Sequence, residues 1–228
     1  MGEVMEKPTL ETWEPKTALG REVKEGRVKS LSEILRKGIP IKEPEIVEFL
    51  APNLEERILS ISFVQRMHKS GRRTKYRVLV AVGNKDGLVG VGHNSAREIR
   101  EAIRKATVTA KMNLVEIARG CGSWECMCDR PHSVPVQGKG KWGSVEITIK
   151  PAPRGLGLVA SEVPKTVLEL AGVKDAWTFS RGETRTTINF SMATLEALKN
   201  ITRIALVGRK KGIHLGPTGE GSGGETGG

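Results

Sequence analysis

Apolar and polar side chains alternate through much of residues 54–117. Residues 58–65 (ILSISFVQ) have the alternation of a half-buried strand, and residues 76–82 (YRVLVAV) and 88–92 (LVGVG) predict two further strands. Between the second and third strands, the sequence NKDG supplies the Asp-Gly turn that is typical of a hairpin. This segment therefore predicts a three-stranded antiparallel sheet.

A helix is predicted directly after the third strand. Ser95 is expected to be its N-cap, and Glu98, three residues later, is expected to complete a capping box. Apolar residues then recur at intervals of three and four, as on the buried face of a helix: Ile99, Ala102, Ile103, Ala106, Ala110, Leu114 and Ile117. We expect this helix to cover one face of the sheet.

A second unit is predicted over residues 118–205. Its clearest strand contains Val145, Ile147 and Ile149, which alternate with polar residues. The other predicted elements are a strand at residues 133–137, a helix from Ser161 that ends at Gly172, a short apolar strand at residues 176–179 and a helix over residues 191–201.

The two flanks have too little apolar surface for a core of their own. Residues 1–53 are expected to form an extension that drapes over the body or over a partner, with one short helix at residues 30–37 capped by Ser30. Three prolines are expected to break regular structure beyond it: Pro40, Pro44 and Pro52. Residues 206–228 form a Gly-rich tail with a basic run at residues 209–211, and we expect the tail to be flexible in free solution.

Charge narrows the class of partner. The chain of 228 residues has a formal net charge of +11, and the excess is uneven. Residues 1–58 hold 10 Lys and Arg against 12 Asp and Glu, whereas residues 59–228 hold 27 against 14. A basic body of this kind binds nucleic acid or an anionic membrane surface. The chain contains no apolar run of transmembrane length and no N-terminal signal core, so a cytosolic protein without membrane contact is expected.

The densest positive charge lies in residues 66–77 (RMHKSGRRTKYR), which carry six Lys and Arg and no acidic residue. The pattern places this stretch in a loop between the first two strands, where Gly71 lets the backbone approach a ligand closely. Such charge repels itself unless a polyanion is bound. The alternative is a solvated, disordered loop. We favour RNA contact, with these candidates: Arg66, His68, Lys69, Arg72, Arg73 and Lys75.

The start of the predicted helix is a second candidate site. A helix N-terminus offers free backbone N–H groups and a positive dipole end to phosphate. Arg97, Arg100 and Arg104 would reinforce it. The alternative is that these arginines only solvate an exposed helix face. RNA contact is the favoured interpretation for Arg97, and the two interpretations are balanced for Arg100 and Arg104.

All three cysteines fall in one short stretch, with a histidine beside them: Cys121, Cys126, Cys128 and His132. An odd number of cysteines argues against a disulfide framework. Three thiolates and an imidazole are a known ligand set for tetrahedral zinc. The alternative is a group of reduced, partly buried cysteines, because a C-x-C pair is tighter than the usual zinc knuckle. Structural zinc is therefore possible here but not required.

The loop at residues 151–157 (PAPRGLG) precedes the helix of the second unit. It lacks the G-x-x-x-x-G-K-[ST] fingerprint, so nucleotide binding is not expected. Arg154, Gly155 and Gly157 are instead candidates for contact with a protein or RNA. The sequence also holds no Ser/His/Asp set and no H-E-x-x-H motif, so we expect no catalytic activity.

Three segments taken together resemble the universal ribosomal small-subunit protein five family, in its archaeal form. They are GHNSAREIREAIRKA, PHSVPVQGKGKWGSVEITIKPAPRGLGLV and VLELAGVKDAW, and the resemblance spans about residues 30–205. It implies an α+β protein: a double-stranded-RNA-binding-like domain at residues 54–117, followed at residues 118–205 by a βαβ-type α/β sandwich domain whose crossover is left-handed, against the usual rule.

The resemblance also implies a set of partners. The loop at residues 67–76 would reach into small-subunit rRNA near the neck and head, and the loop at residues 151–157 would face small-subunit protein four and affect decoding accuracy. Proteins three and eight would be further neighbours, and the path by which mRNA enters would lie close by. No cofactor is required in this family.

The sequence therefore predicts a structural, non-enzymatic constituent of the small ribosomal subunit in the cytoplasm. One alternative is a free regulator or assembly factor that binds double-stranded RNA. Another is a zinc-dependent RNA-modifying enzyme that uses the cysteine cluster.

Overall fold

The computed structural model describes residues 13–28, 30–126, 128, 130–207 and 213–215. Residues 206–228 were expected to be flexible, and most of them, including the basic run at 209–211, lie outside these residues. The α+β class predicted from the sequence is confirmed, with two mixed units that share a core.

The first unit is an antiparallel sheet with one long helix against it. Its elements are β1 Glu55–His68, β2 Gly71–Gly83, β3 Leu88–Ala96, α4 Ile99–Met112 and β4 Val115–Glu116. The strand order is β1-β2-β3-β4, so the three predicted strands are found and a two-residue strand extends the edge. The short NKDG turn is also found; in it Asn84 Oδ1 accepts hydrogen bonds from the backbone of Asp86 and Leu88.

The second half of strand β2, from Val78 to Gly83, is buried on both faces. Val78, Val80 and Val82 pack against the alanine stripe of α4. Leu79 and Ala81, which alternate with them, belong instead to a core that extends into the second unit. A strand buried on both faces reads as a continuous apolar run, which explains the segment VLVAV. The sheet is therefore sandwiched between its own helix and the rest of the chain.

The second unit also combines a sheet with helices. Its elements are β5 Ala118–Arg119, β6 Gly138–Trp142, β7 Val145–Pro151, β8 Leu158–Val159, α5 Glu162–Leu170, β9 Ala176–Arg181, α6 Thr187–Val207 and β10 His214–Leu215. Four of these strands form a sheet of order β6-β7-β9-β8. Strands β8 and β9 are parallel and are connected through α5, which gives the predicted βαβ arrangement. As expected, Ser161 is the N-cap of α5, and Gly172, with φ +81°, follows its C-cap.

Two expectations for this unit are wrong in detail: the strand at residues 133–137, and the bounds of the last helix, which is α6 Thr187–Val207 rather than residues 191–201. Residues 133–137 form no strand, because Ser133 makes only an isolated bridge and Pro135 has no N–H to donate. The strand lies further along the chain, at β6, where glycines interrupt the pattern of apolar side chains that would have predicted it. Glycine is needed there because a Cβ on Gly140 would lie 2.2 Å from the carbonyl oxygen of Ala193 in α6. Beyond this unit, two described residues of the segment expected to be a flexible tail form β10, which pairs with β5; the flexibility of the tail in free solution stays a prediction.

The two units are joined through backbone as well as side chains. The amides of Lys85 and Gly87, in the β2–β3 turn, donate to the carbonyls of Leu170 and Ala171 at the end of α5 over 2.8 and 3.0 Å. These carbonyls have no partner within the helix, so the turn satisfies them. The contact fixes the orientation of the first sheet relative to α5.

The described part of the N-terminal extension forms α1 Ala18–Lys24, α2 Leu31–Arg36 and α3 Pro44–Leu50. The expectation that Pro44 breaks regular structure is wrong, because it occupies the first turn of α3, where a missing N–H costs nothing. Ser30 precedes α2 as expected, although its side chain makes no capping hydrogen bond. The three helices share a core with Leu88 and Leu114, as expected for a segment that drapes over the body.

Candidate nucleic-acid interface

The basic stretch is a projecting hairpin rather than a loop. Strands β1 and β2 remain paired to His68 and Gly71, and only Lys69 and Ser70 form the turn. Strand β3 ends opposite Tyr76, so residues 64–75 extend past the sheet as a two-stranded arm. Five residue pairs form this arm, which gives it a length of roughly 17 Å. The expected loop at residues 67–76 is thus corrected to a strand–turn–strand, with Gly71 at φ +114°.

The register sorts the basic residues onto two faces. Arg66 is paired with Arg73, and Arg77, four residues beyond Arg73 on β2, points to the same side. Lys75 and His68 share that side, which we call the basic face. Arg72 points the other way, opposite Met67. Lys69 lies at the tip. The structure therefore brings together four of the six predicted residues and separates Arg72 from them.

The opposite face of the arm is apolar at its base. The rings of Phe63 and Tyr76 pack at 5.3 Å between centroids and are tilted by 53°. Phe63 and Met67 remain largely exposed. This pair stiffens the base of the arm, because aromatic cross-strand pairs stabilise a hairpin.

A cleft of about 610 Å³ continues the basic face toward the second unit. Its walls are the middle of β2, with Arg77, the end of β3, with Ser95, and the chain that leads into α6, with Arg185. The remaining wall residues are His93, Asn94, Thr186, Thr187, Ile188 and Asn189. The sequence did not single out Arg77, His93 or Arg185 as site residues. The alternation of Arg73, Lys75 and Arg77 along β2 was the available signal for the first.

The helix start was predicted one turn too early. Ser95 pairs with Arg77 in the sheet, so β3 continues through Ala96 and α4 begins at Ile99. The N-cap is Glu98, and its side chain makes no capping hydrogen bond. The Ser95–Glu98 capping box is therefore wrong. Arg97, Arg100 and Arg104 are all exposed.

An acidic side chain lies among these arginines. The Glu101 carboxylate accepts a hydrogen bond from Lys105, which lowers the pKa of Glu101, and the nearby charges of Arg104 and Arg97 lower it further. Part of the positive charge on this helix face is thus balanced within the protein. The solvated-face interpretation gains support here relative to the arm.

The loop at residues 151–157 uses its amides internally. Gly155 and Gly157 donate backbone hydrogen bonds to Oδ1 of Asp175 over 3.1 and 2.8 Å. Both glycines have positive φ, at +90° and +78°, which favours glycine at these positions. These N–H groups cannot also hold a phosphate, whereas the side chain of Arg154 is exposed at the tip. The geometry thus favours a contact made by the side chain.

The four residues of the cysteine cluster are brought together. One ligand atom from each of Cys121, Cys126, Cys128 and His132 lies within 4.8 Å of the others. The sulfurs of Cys126 and Cys128 are 3.0 Å apart. Hydrogen bonds from the Cys128 thiol and from the backbone of Arg154 lower the pKa of Cys126 to about 6, and the same pairing raises the pKa of Cys128.

No helix in the described part of the chain, α6 with its 21 residues included, has an apolar stretch long enough to cross a membrane.

Two protein-family models match the chain. "Ribosomal protein S5, N-terminal domain" matches residues 54–118, and "Ribosomal protein S5, C-terminal domain" matches residues 140–211. Several curated relatives carry the name "Small ribosomal subunit protein uS5". That of Methanocaldococcus jannaschii is 57% identical over 192 residues, covering 84% of this chain and 88% of the relative. That of Methanococcus maripaludis is 55% identical over 201 residues, covering 88% and 89%.

A third relative, from Pyrobaculum aerophilum, is 56% identical over 191 residues, covering 84% of this chain and 88% of the relative. Identity at this level over most of both chains exceeds what a shared fold alone produces. The resemblance to the archaeal form of the family, drawn from three sequence segments, is confirmed. The chain therefore belongs to the ribosomal protein S5 family.

Proposed function

We propose that this protein is a structural constituent of the small ribosomal subunit. In this role it binds rRNA, supports subunit assembly and translational accuracy, and lies beside the path by which mRNA enters. The names of its relatives support the ribosomal role. The observation that carries the RNA-binding part is the register of the arm, which aligns Arg66, Arg73, Lys75 and Arg77 on one face.

The arm has the properties of a segment that is completed by a polyanion. A two-stranded ribbon without a third strand is only marginally stable in water. Like charges on directly paired residues weaken it further. Phosphate groups between the guanidinium groups would remove that repulsion, because arginine can hold two phosphate oxygens with one planar fork. RNA binding would therefore order and clamp the arm at once.

The cleft at the base of the arm extends the RNA surface to the second unit. Arg77 and Arg185 flank it, and α6 begins beside it with Thr187 and the preceding Thr186. Backbone N–H groups in the first turn of a helix favour anions. A phosphate chain that follows the basic face would thus pass from the arm into this cleft.

The loop at residues 151–157 is proposed as a surface for neighbouring small-subunit proteins, of which protein four is the first expected partner and proteins three and eight are others. Its fixed backbone and exposed Arg154 suit a rigid contact. A preformed loop binds with a small loss of conformational entropy. Changes there would alter how the two proteins move during decoding, which connects the loop to accuracy.

This role needs no catalytic cofactor and places the protein on cytoplasmic ribosomes. In this role the cysteine cluster would be structural, because the cluster lies in the connector between the two units.

The direct test is assembly into small subunits. Arg66→Glu combined with Arg73→Glu should leave the far-ultraviolet circular dichroism unchanged and prevent cosedimentation with small subunits at moderate salt. Arg27→Glu combined with Lys199→Glu changes the charge equally at exposed positions elsewhere and should cosediment normally. Normal incorporation of the arm variant would contradict the proposal. Tight binding of arbitrary RNA duplexes by the free protein would favour a regulator instead.

A further inference from the structure

The side chain of His132 is almost fully buried. Only one of its two ring nitrogens has a hydrogen-bond partner among the described residues. Its Nδ1 lies 2.9 Å from Oδ2 of Asp175. Its Nε2 is buried and, among the described residues, has no hydrogen-bond partner. An imidazole nitrogen that is buried without a partner loses the hydrogen bond it would make in water. A ligand bound at Nε2 would therefore replace the missing interaction.

The surroundings of His132 specify that ligand. The ligand atoms of Cys121, Cys126, Cys128 and His132 all lie within 4.8 Å of one another. A tetrahedral ion with Zn–S bonds of about 2.3 Å separates its sulfurs by about 3.8 Å, so small side-chain shifts would seat it. With Nδ1 occupied by Asp175, Nε2 is the nitrogen that remains for a metal. Three sulfurs and one imidazole select zinc over magnesium or calcium, which prefer oxygen.

Asp175 adds the outer partner that zinc-bound histidines usually have. A carboxylate that accepts the N–H of the other ring nitrogen fixes the tautomer and the ring orientation. The residue is itself held in place, because the amides of Lys174 and Asp175 both donate to the carbonyl oxygen of His132, over 2.8 and 3.0 Å. Ser133 Oγ donates to the carbonyl oxygen of Asp175 over 2.6 Å. The ligand and its partner are thus preorganised.

Asp175 also connects the cluster to the loop at residues 151–157. While Oδ2 meets His132, Oδ1 accepts the amides of Gly155 and Gly157. The backbone of Arg154 hydrogen-bonds the sulfur of Cys126 from the same loop. One bound ion would therefore fix the connector and the loop together, in a part of the chain that has little apolar core of its own.

We propose that Cys121, Cys126, Cys128 and His132 bind one structural Zn²⁺, and that Asp175 transmits the order of this site to the loop that carries Arg154. When the metal binds, it displaces the protons of the cysteine thiols, and these protons are released to solvent. The site has no open position for substrate when all four residues are bound, so it is structural. The proposal is independent of the rRNA-binding role, since it concerns a different surface.

The first test is metal content and ligand identity in the full-length protein. Protein purified under reducing conditions should contain one zinc per chain, and its cobalt-substituted form should show the spectrum of tetrahedral thiolate coordination. Cys126→Ser and His132→Ala should lose that stoichiometry. Trp124→Ala, an exposed change in the same connector, should keep it. Reduced, folded wild-type protein that takes up no zinc, or equal uptake by Cys126→Ser, would overturn the proposal. So would the finding that Cys126 and Cys128 form a disulfide whose reduction does not restore uptake.

The second test addresses Asp175. Asp175→Asn should weaken zinc affinity by about 10–100-fold in competition with a chelator, without a change in the number of ions bound. In the wild type, removal of zinc should speed amide hydrogen exchange at Gly155 and Gly157. Exchange at Lys85 and Gly87, which bond to α5 instead, serves as the internal control. Unchanged exchange in the loop after zinc removal would show that the site and the loop are not coupled.

Discussion

Arg66 and Arg73 are directly paired across the arm, so two guanidinium groups leave the same face of the ribbon at neighbouring positions. Arg72 is adjacent in sequence to Arg73 but points to the other face, opposite Met67. This relationship separates two residues that the sequence treats as equivalent. It gives a matched pair of variants with the same charge change and the same local composition.

Arg73→Glu should weaken binding to a small-subunit rRNA transcript much more than Arg72→Glu does. The affinity should fall by about tenfold or more, because attraction to a phosphate is replaced by repulsion on the basic face. The slope of log affinity against log salt should fall by about one for each phosphate that the variant no longer neutralises. Filter binding at several salt concentrations measures both quantities. Equal effects of the two variants would mean that the arm binds by net charge without using one face.

Arg36→Ala should loosen the N-terminal extension. Arg36 donates two hydrogen bonds of 3.1 Å to the buried carboxylate of Glu116, and this pairing raises the pKa of Arg36. Removal of the guanidinium leaves a buried acceptor short of donors, at a cost of about 1–3 kcal/mol. We expect faster proteolysis before β1. Arg27→Ala removes an exposed pair with Glu25 and should leave the digestion rate unchanged.

Gly92→Ala should destabilise the first unit. A Cβ at this position would lie 2.3 Å from the amide nitrogen of Ala110 and 2.5 Å from the carbonyl oxygen of Ala106, so α4 would have to move away from β3. Overpacking of this kind costs about 1–3 kcal/mol. Urea denaturation would measure it. Gly26→Ala, with φ +73° and nothing within 4 Å, serves as the control, because it introduces backbone strain without a clash.

Lys111 should make stability fall at high pH. Burial lowers the pKa of its amine, but hydrogen bonds and charge interactions with Glu48 and Glu56 outweigh this and raise it. The group therefore contributes stability that is fully present below its unfolded pKa of about 10.4 and is lost as pH rises through the higher folded pKa. The difference in free energy of unfolding between wild type and Lys111→Met should be constant from about pH 6 to 9. It should shrink above about pH 10.5. A difference that vanishes within the lower range would contradict this account.

Hydrophobic periodicity was sufficient to predict the elements in which apolar and polar side chains alternate regularly. The strand with Val145, Ile147 and Ile149 and the alanine stripe of α4 are where the pattern predicts them. It failed at β6, because Gly138 and Gly140 are required by the close approach of α6, a tertiary demand that a single sequence does not display. It also failed at Ser95, where strand pairing with Arg77 overrode a good helix-capping signal.

The residues of the candidate sites also divide into those that the sequence could identify and those that only the fold brings together. The sequence identified the basic residues and the cysteines, because both are clustered along the chain. It could not identify Arg185 or Asp175, which reach their sites from distant segments. Nor could it sort Arg72 from Arg73, since their faces depend on a register that begins at the turn of Lys69 and Ser70.

The shared core also constrains how the protein is made. Leu79, Ala81, Val89 and Val91 leave the synthesising ribosome long before α6 is available to cover them. At about 5–20 residues per second, that interval lasts on the order of ten seconds. During this interval the first half of the chain exposes apolar surface, to which chaperones can bind and through which it can aggregate. The two halves are therefore poor candidates for separation or exchange, and the gene is best regarded as encoding a single indivisible folding unit.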